Sequence, residues 1–169
     1  MYGNAYIDPN EKFSTEEETP EKLAEFQARI DRGEKIEPQD WMPAMYRKQL
    51  IRMIEQHAHS EIIGALPEGT WITRAPGFRR KLALMAKVQD EVGHAHQQGL
   101  LAERFGVDIH HGTFEDSIDK IFTWPIMEFP IRNYVEFVVM QCLLDRAGLH
   151  WTKDIELHSS FAPYRRTLR

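Results

Sequence analysis

Apolar residues recur every three to four positions along three long stretches of the chain, which is the spacing of one face of an α-helix. The first stretch follows an Asp-Trp-Met-Pro segment at residues 40–43 and carries a stripe formed by Leu50, Ile54, Ala58 and Ala65. The second runs from about residue 77 to 104 and the third from about residue 131 to 159. No stretch alternates apolar and polar residues as a strand would. The pattern predicts an all-α protein, most simply a helical bundle.

The N-terminal region is more polar than these stretches. Residues 1–36 are predicted to form a polar arm with one short helix, and residues 37–169 to form the bundle domain. Thr19 is placed to cap a helix that starts at Pro20 and ends near Gly33. The first twenty residues are acidic and cannot bury much apolar surface, so we expect a tail or an arm on a partner.

An acidic residue interrupts each of the three apolar stripes. Glu61 lies on the first stripe, and Glu91 lies one turn before His94 on a face of the second helix. That face also carries Lys87 and Gln98, with Leu84, Val88 and Ala95 beside it. Asp145 lies on the third stripe, and we expect it to be buried among Ile131, Val135, Val138, Cys142 and Leu149.

These residues together predict a metal site. A single inward carboxylate is more often hydrogen-bonded to a neighbouring side chain, and a Glu-x-x-His spacing also arises by chance. Several carboxylates in one core are costly without cations, however. Glu on one helix and Glu-x-x-His on the next are the ligands with which four-helix bundles hold two iron or manganese ions. The predicted ligands are Glu61, Glu91, His94 and Asp145.

Two further expectations concern the geometry of this site. Residues 66–76 contain two prolines and a glycine and are predicted to break the first helix. Glu61 and Glu91 would then be offset by ~15 Å, so this segment should run back along the bundle as an extended strap rather than a tight turn. A second Glu-x-x-His is absent before Arg169, so the bundle is expected to be C-terminally incomplete.

The remaining histidines, methionines and tryptophans receive structural roles. His57 and His59 are candidate hydrogen-bond partners of the ligands. The other histidines are expected at the surface or at helix caps: His96, His110, His111, His150 and His158. Six methionines are expected to fill the core: Met42, Met45, Met53, Met85, Met127 and Met140. Trp71 and Trp124 are expected to anchor loops.

Composition excludes several other classes of protein. The 169 residues carry a net charge of -5, and the few basic runs are short, so nucleic-acid binding is not expected. Cys142 has no partner for an internal disulfide, the first ten residues lack an export signal, and the longest apolar run, residues 137–144, is too short for a membrane span. We therefore predict a cytoplasmic protein. Phosphate-binding glycine loops and a nucleophile elbow are absent from the sequence.

Several motifs carry a resemblance to a known family. They are Glu-Pro-Gln-Asp-Trp-Met-Pro at 37–43, Tyr-Arg-Lys-Gln-Leu-Ile-Arg at 46–52, Gln-His-Ala-His-Ser-Glu at 56–61, Leu-Pro-Glu-Gly at 66–69, Trp-Ile-Thr-Arg-Ala-Pro at 71–76 and Ala-Lys-Val-Gln-Asp-Glu-Val-Gly-His at 86–94. With them the chain resembles the catalytic-subunit family of ring 1,2-phenylacetyl-CoA epoxidases. The resemblance is strong over residues 35–105, weaker over 106–158, and returns at 159–164.

The resemblance implies a ferritin-like di-iron monooxygenase subunit that epoxidises the aromatic ring of phenylacetyl-CoA with O2 in aerobic phenylacetate degradation. It places Glu61, Glu91, His94 and Asp145 on ligand positions of two non-haem irons, and Lys87 on a polar position beside them. Electrons would come from NADPH through a separate reductase, and a related non-catalytic bundle subunit would complete a hetero-oligomer. Lys87 is either a contact near the ligands or the substrate thioester, or a simple salt-bridge partner of Asp90 or Glu91.

Two other functions stay open at this point. The chain could be a metal-free structural subunit or a truncated paralogue that serves as a pairing scaffold, which the missing second Glu-x-x-His favours. A weaker alternative is an iron-storage or peroxide-scavenging bundle, which would be active without an acyl-CoA substrate.

Overall fold

The computed structural model describes residues 17–105 and 130–167 of the protein. These ranges contain five helices: α1 (Pro20–Asp31), α2 (Ala44–Trp71), α3 (Phe78–Glu103), α4 (Tyr134–His158) and α5 (Ala162–Thr167). The described residues form no strand, and an isolated parallel bridge joins Ile36 to Phe161. The predicted all-α class is confirmed. None of the described helices combines the length and the apolar character that crossing a membrane requires.

The short helix α1 begins and ends where its sequence signals predict. The Thr19 hydroxyl oxygen accepts a hydrogen bond from the Lys22 backbone N–H at 3.3 Å, which satisfies one of the donors left over in the first turn. Gly33 follows the last turn with a φ of 75°, a conformation that glycine adopts at little cost. Phe26 is the buried residue of α1 and packs edge-on against Trp41 and Tyr46.

Helix α2 does not end at residue 66, and this corrects the predicted strap. It continues through Pro67 to Trp71, although a proline inside a helix lacks an N–H donor and costs about 3 kcal/mol. The longer helix places Trp71 in a buried position, where its ring stacks on Phe137. Burying a large aromatic side chain stabilises the fold and offsets much of the cost of the proline. Residues 72–77 then make a tight turn, in which the Ala75 N–H donates to the Trp71 carbonyl at 2.8 Å.

The longer α2 also removes the offset that made a strap necessary. Glu61 precedes the end of α2 by ten residues, and Glu91 follows the start of α3 by thirteen. The difference of three residues corresponds to ~4.5 Å along a helix. A tight α2–α3 hairpin therefore places the two residues at similar heights. The expectation that a tight turn would separate them was wrong because it assumed too short a helix.

The apolar stripe of α2 packs into a core at the end of the hairpin away from the turn. All four predicted stripe residues are buried: Leu50, Ile54, Ala58 and Ala65. Leu50 and Ile54 lie in one cluster with the end of α3 and with Phe161 and Tyr164 from the segment after α4. The Ile36 N–H donates to the Ser160 carbonyl at 2.8 Å, which ties this segment to the chain between α1 and α2.

The predicted stripe of α4 is not buried in the described part of the chain. Asn133 caps this helix, and its side-chain oxygen accepts hydrogen bonds from the N–H groups of Val135 and Glu136. Of the α4 residues, Phe137 is buried, whereas Val135 is 70% exposed and Cys142 is also exposed. Helix α4 packs on the hairpin through the Phe137 side, which turns most of the predicted stripe outward.

The methionine prediction was largely wrong. Met42 is buried and Met140 half-buried, but Met45, Met53 and Met85 are exposed on the outer faces of α2 and α3. Methionine is apolar enough to suggest a core position yet does not determine which face of a helix is covered. The predictions for His110, His111, Trp124 and Met127 lie outside the described residues. The expected surface positions of His96, His150 and His158 are confirmed.

Candidate metal centre

Helices α2 and α3 bring three of the four predicted ligands together. Glu61, Glu91 and His94 each offer one ligand atom, and these atoms all lie within 4.8 Å of one another. His94 Nδ1 lies 3.5 Å from Glu91 Oε2 and 3.9 Å from Glu61 Oε2. Glu91 and His94 meet because residues three apart share a helix face, and the hairpin brings Glu61 opposite them. The His94 side chain is 58% exposed, so the group opens to solvent on its side.

The two glutamates of this group share a hydrogen bond, and their carboxyl groups have opposite pKa shifts. Burial raises the pKa of Glu91, and the neighbouring Glu61 carboxylate raises it further, outweighing Lys87. Burial also acts to raise the pKa of Glu61, but hydrogen bonds with His57 and Glu91 lower it well below the ordinary value. Two carboxyl groups this close hold one proton between them more easily than two negative charges. A bound cation would relieve the same repulsion.

His57 is hydrogen-bonded to Glu61, as expected from the sequence. Its Nε2 lies 2.8 Å from Glu61 Oε1, and its Nδ1 lies 3.0 Å from the hydroxyl oxygen of Tyr164. Both His57 and Tyr164 are buried. His59 is buried as well, but its Nε2 lies 3.9 Å from Glu55 rather than beside the predicted ligands. Tyr164 was not singled out from the sequence, because nothing in the local pattern shows that it returns to α2.

Lys87 lies among three carboxylates beside the Glu61, Glu91 and His94 group. Its ammonium group donates a hydrogen bond to Glu91 Oε1 and lies 3.3 Å from Glu68 Oε1 and 3.2 Å from Asp145 Oδ1. Burial acts to lower the pKa of Lys87, but the three carboxylates raise it by more, so the side chain stays protonated. The ion pair with Glu91, one of the alternatives left open for Lys87, is present, and the ammonium group connects α2, α3 and α4.

Glu68 belongs to this network and was missed in the sequence. It is 3% exposed, and its burial raises its pKa even though Lys87 acts to lower it. The residue was assigned to a loop because of Pro67. The spacing of seven from Glu61, which is two helical turns, would have placed both carboxylates on one face if α2 had been extended.

Asp145 is not buried, and this corrects the prediction. Its side chain is 49% exposed, because α4 contacts the hairpin through Phe137 rather than along the whole predicted stripe. One Asp145 oxygen, Oδ1, accepts a hydrogen bond from Gln141 at 2.9 Å and lies beside Lys87. Asp145 therefore reaches the site through the Lys87 ammonium and is not part of the three-residue group.

The donor set fits a transition-metal ion. Two carboxylates and an imidazole are the donors that iron and manganese take in helical bundles. Within the described residues, the carboxylates of Glu68, Glu91 and Asp145 surround the Lys87 ammonium group, and the Glu61 carboxyl group lies beside Glu91. When all four are ionised, the cluster has surplus negative charge, which a cation would balance. Glu61, Glu91 and His94 are the residues that could hold it.

Comparison with known proteins identifies the family of the chain. A family model described as phenylacetic acid catabolic protein matches residues 15–169. The chain belongs to this family. It is 43% identical over 145 residues to one of the subunits of 1,2-phenylacetyl-CoA epoxidase from Escherichia coli (strain K12), an alignment that covers 85% of the chain. The sequence resemblance to this family is thereby confirmed, and the described helices are consistent with a ferritin-like bundle.

The match to the Escherichia coli protein covers 46% of that relative, so the chain spans about half the length of this curated protein. The aligned part nevertheless includes most of the chain, and the family match includes α1 to α5. Membership of the phenylacetic acid catabolic protein family thus extends to the residues of the candidate centre.

Proposed function

We propose that this chain carries part of the di-iron centre of an oxygenase subunit that epoxidises the aromatic ring of phenylacetyl-CoA with O2. The observation that carries the proposal is the convergence of Glu61, Glu91 and His94 within 4.8 Å on two helices of a hairpin. The name of the Escherichia coli relative supports the reaction and the acyl-CoA substrate. Glu61, Glu91 and His94 would ligate iron, and Asp145 would join them after leaving Lys87.

The residues of the chain have separate tasks in this proposal. Bound iron would supply the activation of O2. Glu61 and Glu91 provide negative charge for the metal, and His94 provides a neutral nitrogen donor. Lys87 holds Glu91 from within α3 and connects it to Glu68 and Asp145, which fixes the carboxylates before metal binds. Preorganised donors of this kind lose less entropy on binding than mobile ones.

Other components complete the reaction. One oxygen atom of O2 would enter the ring as an epoxide and the other would leave as water, with two electrons and two protons consumed. The electrons would come from NADPH through a separate reductase, because the sequence contains no nicotinamide or flavin motif. The relative is named as one of several epoxidase subunits, which supports a hetero-oligomer in which we place a related non-catalytic bundle protein.

Iron loading under anaerobic conditions, followed by elemental analysis, tests the metal site. Saturable iron binding is expected in the unaltered protein and should be lost in the Glu91→Gln variant. The matched control is Asp90→Asn, an exposed residue that precedes Glu91 and lies outside the three-residue group. Equal iron content in all three proteins would reject the assignment of Glu91.

The reaction has its own test. The protein, combined with its reductase, NADPH and phenylacetyl-CoA under ¹⁸O2, should yield an epoxide that contains one labelled oxygen. The Glu61→Gln and His94→Gln variants should yield none. An unlabelled product, or equal product from these variants, would contradict the proposed role of the centre.

A metal-free scaffold is the second candidate function, and one observation favours it. The Lys87 ammonium already supplies positive charge to Glu68, Glu91 and Asp145, as a metal ion would. Iron content separates the two functions, since a scaffold would remain at background iron after loading. Two irons per chain would favour the oxygenase, and a single iron would indicate a half-occupied site.

A further inference from the structure

A buried chain of hydrogen bonds connects Tyr164 to Glu61 through His57. The Tyr164 hydroxyl lies 3.0 Å from His57 Nδ1, and His57 Nε2 lies 2.8 Å from Glu61 Oε1. Tyr164 is 0% exposed in the core cluster that also contains Phe161 and Ile36. The chain therefore reaches from the segment after α4 to the candidate metal centre without passing through solvent.

The chemistry of the three groups fixes the direction of these hydrogen bonds. An ionised carboxylate only accepts, so the Glu61 interaction requires a proton on Nε2 of His57. In a neutral imidazole the other nitrogen, Nδ1, then accepts, and the Tyr164 O–H is its donor. The Glu61 carboxylate thus selects one of the two neutral forms of the His57 ring, and the Tyr164 hydroxyl donates to the nitrogen that this form leaves unprotonated. The Trp151 ring stands edge-on to the imidazole with centroids 5.2 Å apart, which restrains its tilt.

The orientation of Glu61 follows from this arrangement. His57 occupies Oε1, whereas Oε2 is the oxygen that lies 3.9 Å from His94 Nδ1. A carboxylate held at one oxygen presents the other in a defined direction. Partners of this kind behind a metal ligand commonly change metal affinity by about 10- to 100-fold when they are removed.

We propose that Tyr164 and His57 are positioning residues: Tyr164 holds the His57 ring in place, and His57 in turn holds Glu61 Oε1 and thereby presents Glu61 Oε2 to the metal. The assignment rests on the proposed metal site for its consequence, but the hydrogen bond between Tyr164 and His57 can be observed without metal. Residues 159–167 are far from Glu61 in the sequence but reach the centre through this chain of hydrogen bonds. The Pro-Tyr pair after α4 therefore has a role beyond packing.

Two measurements on the full chain test the assignment. Nitrogen NMR of histidine-labelled, metal-free protein reports the hydrogen bond at His57 Nδ1 through the chemical shift of that nitrogen, and titration with Co²⁺ alone reports affinity and the ligand-field absorption of the site. In the unaltered protein we expect Nδ1 to show the shift of a nitrogen that accepts a hydrogen bond. In Tyr164→Phe we expect the Nδ1 shift to move toward that of a free acceptor, a weaker Co²⁺ affinity by about 10-fold or more, and a shifted absorption band.

A matched control separates the proposed positioning role of Tyr164 from a general effect of removing a tyrosine hydroxyl group. The Tyr46 hydroxyl lies 2.7 Å from the Ser160 hydroxyl oxygen beside the same core cluster but does not reach His57. Tyr46→Phe should therefore leave the His57 Nδ1 chemical shift, the Co²⁺ affinity and the absorption band unchanged. Equal effects of Tyr46→Phe and Tyr164→Phe would overturn the assignment.

Substitutions of His57 provide a second comparison. The His57→Gln variant keeps an N–H donor near the position of Nε2 and should retain most of the Co²⁺ affinity, whereas His57→Leu should lose it. An unchanged Nδ1 chemical shift and an unchanged Co²⁺ affinity in Tyr164→Phe would reject the role of Tyr164. If the unaltered protein bound no Co²⁺, the proposed metal site would fail, and the Nδ1 chemical shift in Tyr164→Phe would still decide whether Tyr164 holds His57.

Discussion

Trp71 stacks on Phe137 with ring centroids 5.5 Å apart and ring planes 17° from parallel. This contact joins the end of α2 to α4, and Phe137 is 2% exposed. Phe137→Ala is expected to lower the free energy of unfolding by about 3–5 kcal/mol, because it removes a buried aromatic side chain and leaves a cavity. Urea denaturation measures the loss. The control Val135→Ala, on the exposed side of α4, should change the free energy of unfolding by less than about 0.5 kcal/mol. Similar losses in both variants would contradict the packing of Phe137 against Trp71.

Pro67 is expected to weaken α2 locally. Pro67→Ala should raise the free energy of unfolding by about 1–3 kcal/mol, because alanine restores the N–H donor inside the helix. Thermal and urea denaturation provide the measurement. Pro163→Ala is the control, since Pro163 lies in the first turn of α5, where the missing N–H has no partner within the helix. A destabilised Pro67→Ala protein would show that the tertiary packing requires the proline.

Lys87 is expected to stabilise the fold by compensating Glu68. Lys87→Met leaves the buried Glu68 carboxylate without its ammonium partner and should cost about 1–3 kcal/mol of unfolding free energy at neutral pH. The combined Lys87→Met and Glu68→Gln variant should recover part of that loss, because the uncompensated charge is gone. A double-mutant cycle measures the coupling, and additive effects would indicate that the two groups do not interact.

The pH dependence of stability should include a contribution from Glu37. The Arg166 guanidinium donates to both Glu37 oxygens at 2.8 and 2.9 Å, and this holds the pKa of the carboxyl below its ordinary value. A lowered folded-state pKa means that the stabilisation is present above the ordinary pKa of about 4.3 and is lost as the pH falls through the folded value.

Stability measurements across this pH range test the pair. The difference in unfolding free energy between the unaltered protein and Arg166→Met should be present at pH 7 and shrink toward pH 3. Arg79→Met provides a control at an exposed arginine near the start of α3. A difference that stays constant with pH would exclude an ionic contribution from Glu37.

Local sequence signals predicted α1 to α4 to within a few residues at most boundaries, with the end of α2 as the exception, whereas α5 was not predicted. Thr19 and Pro20 mark the start of α1, and the spacing of Leu50 and Ile54 identifies the buried face of α2. Glu61, Glu91 and His94 could be selected because a carboxylate on an apolar stripe is costly and therefore conspicuous. These features depend on residues close together in the sequence.

The errors arose where distant residues decide the structure. Pro67 is a helix breaker by local rules, but the burial of Trp71 against Phe137 favours continued helix. Because α2 was predicted to end before Pro67, Glu68 was not included in the candidate site. The apolar spacing in α4 showed which residues share a face of the helix with Asp145. It did not show which face packs against the hairpin, because that depends on tertiary contacts rather than on periodicity.

The bridge between Ile36 and Phe161 has a consequence for biosynthesis. The hairpin of α2 and α3 can pair as soon as both helices have left the ribosome, since its contacts are sequential neighbours. The cluster that receives Phe161 and Tyr164 cannot close until those residues have been translated. Nascent chains shorter than this are expected to expose Ile36 and Ile54 and to be substrates for chaperones that bind apolar segments.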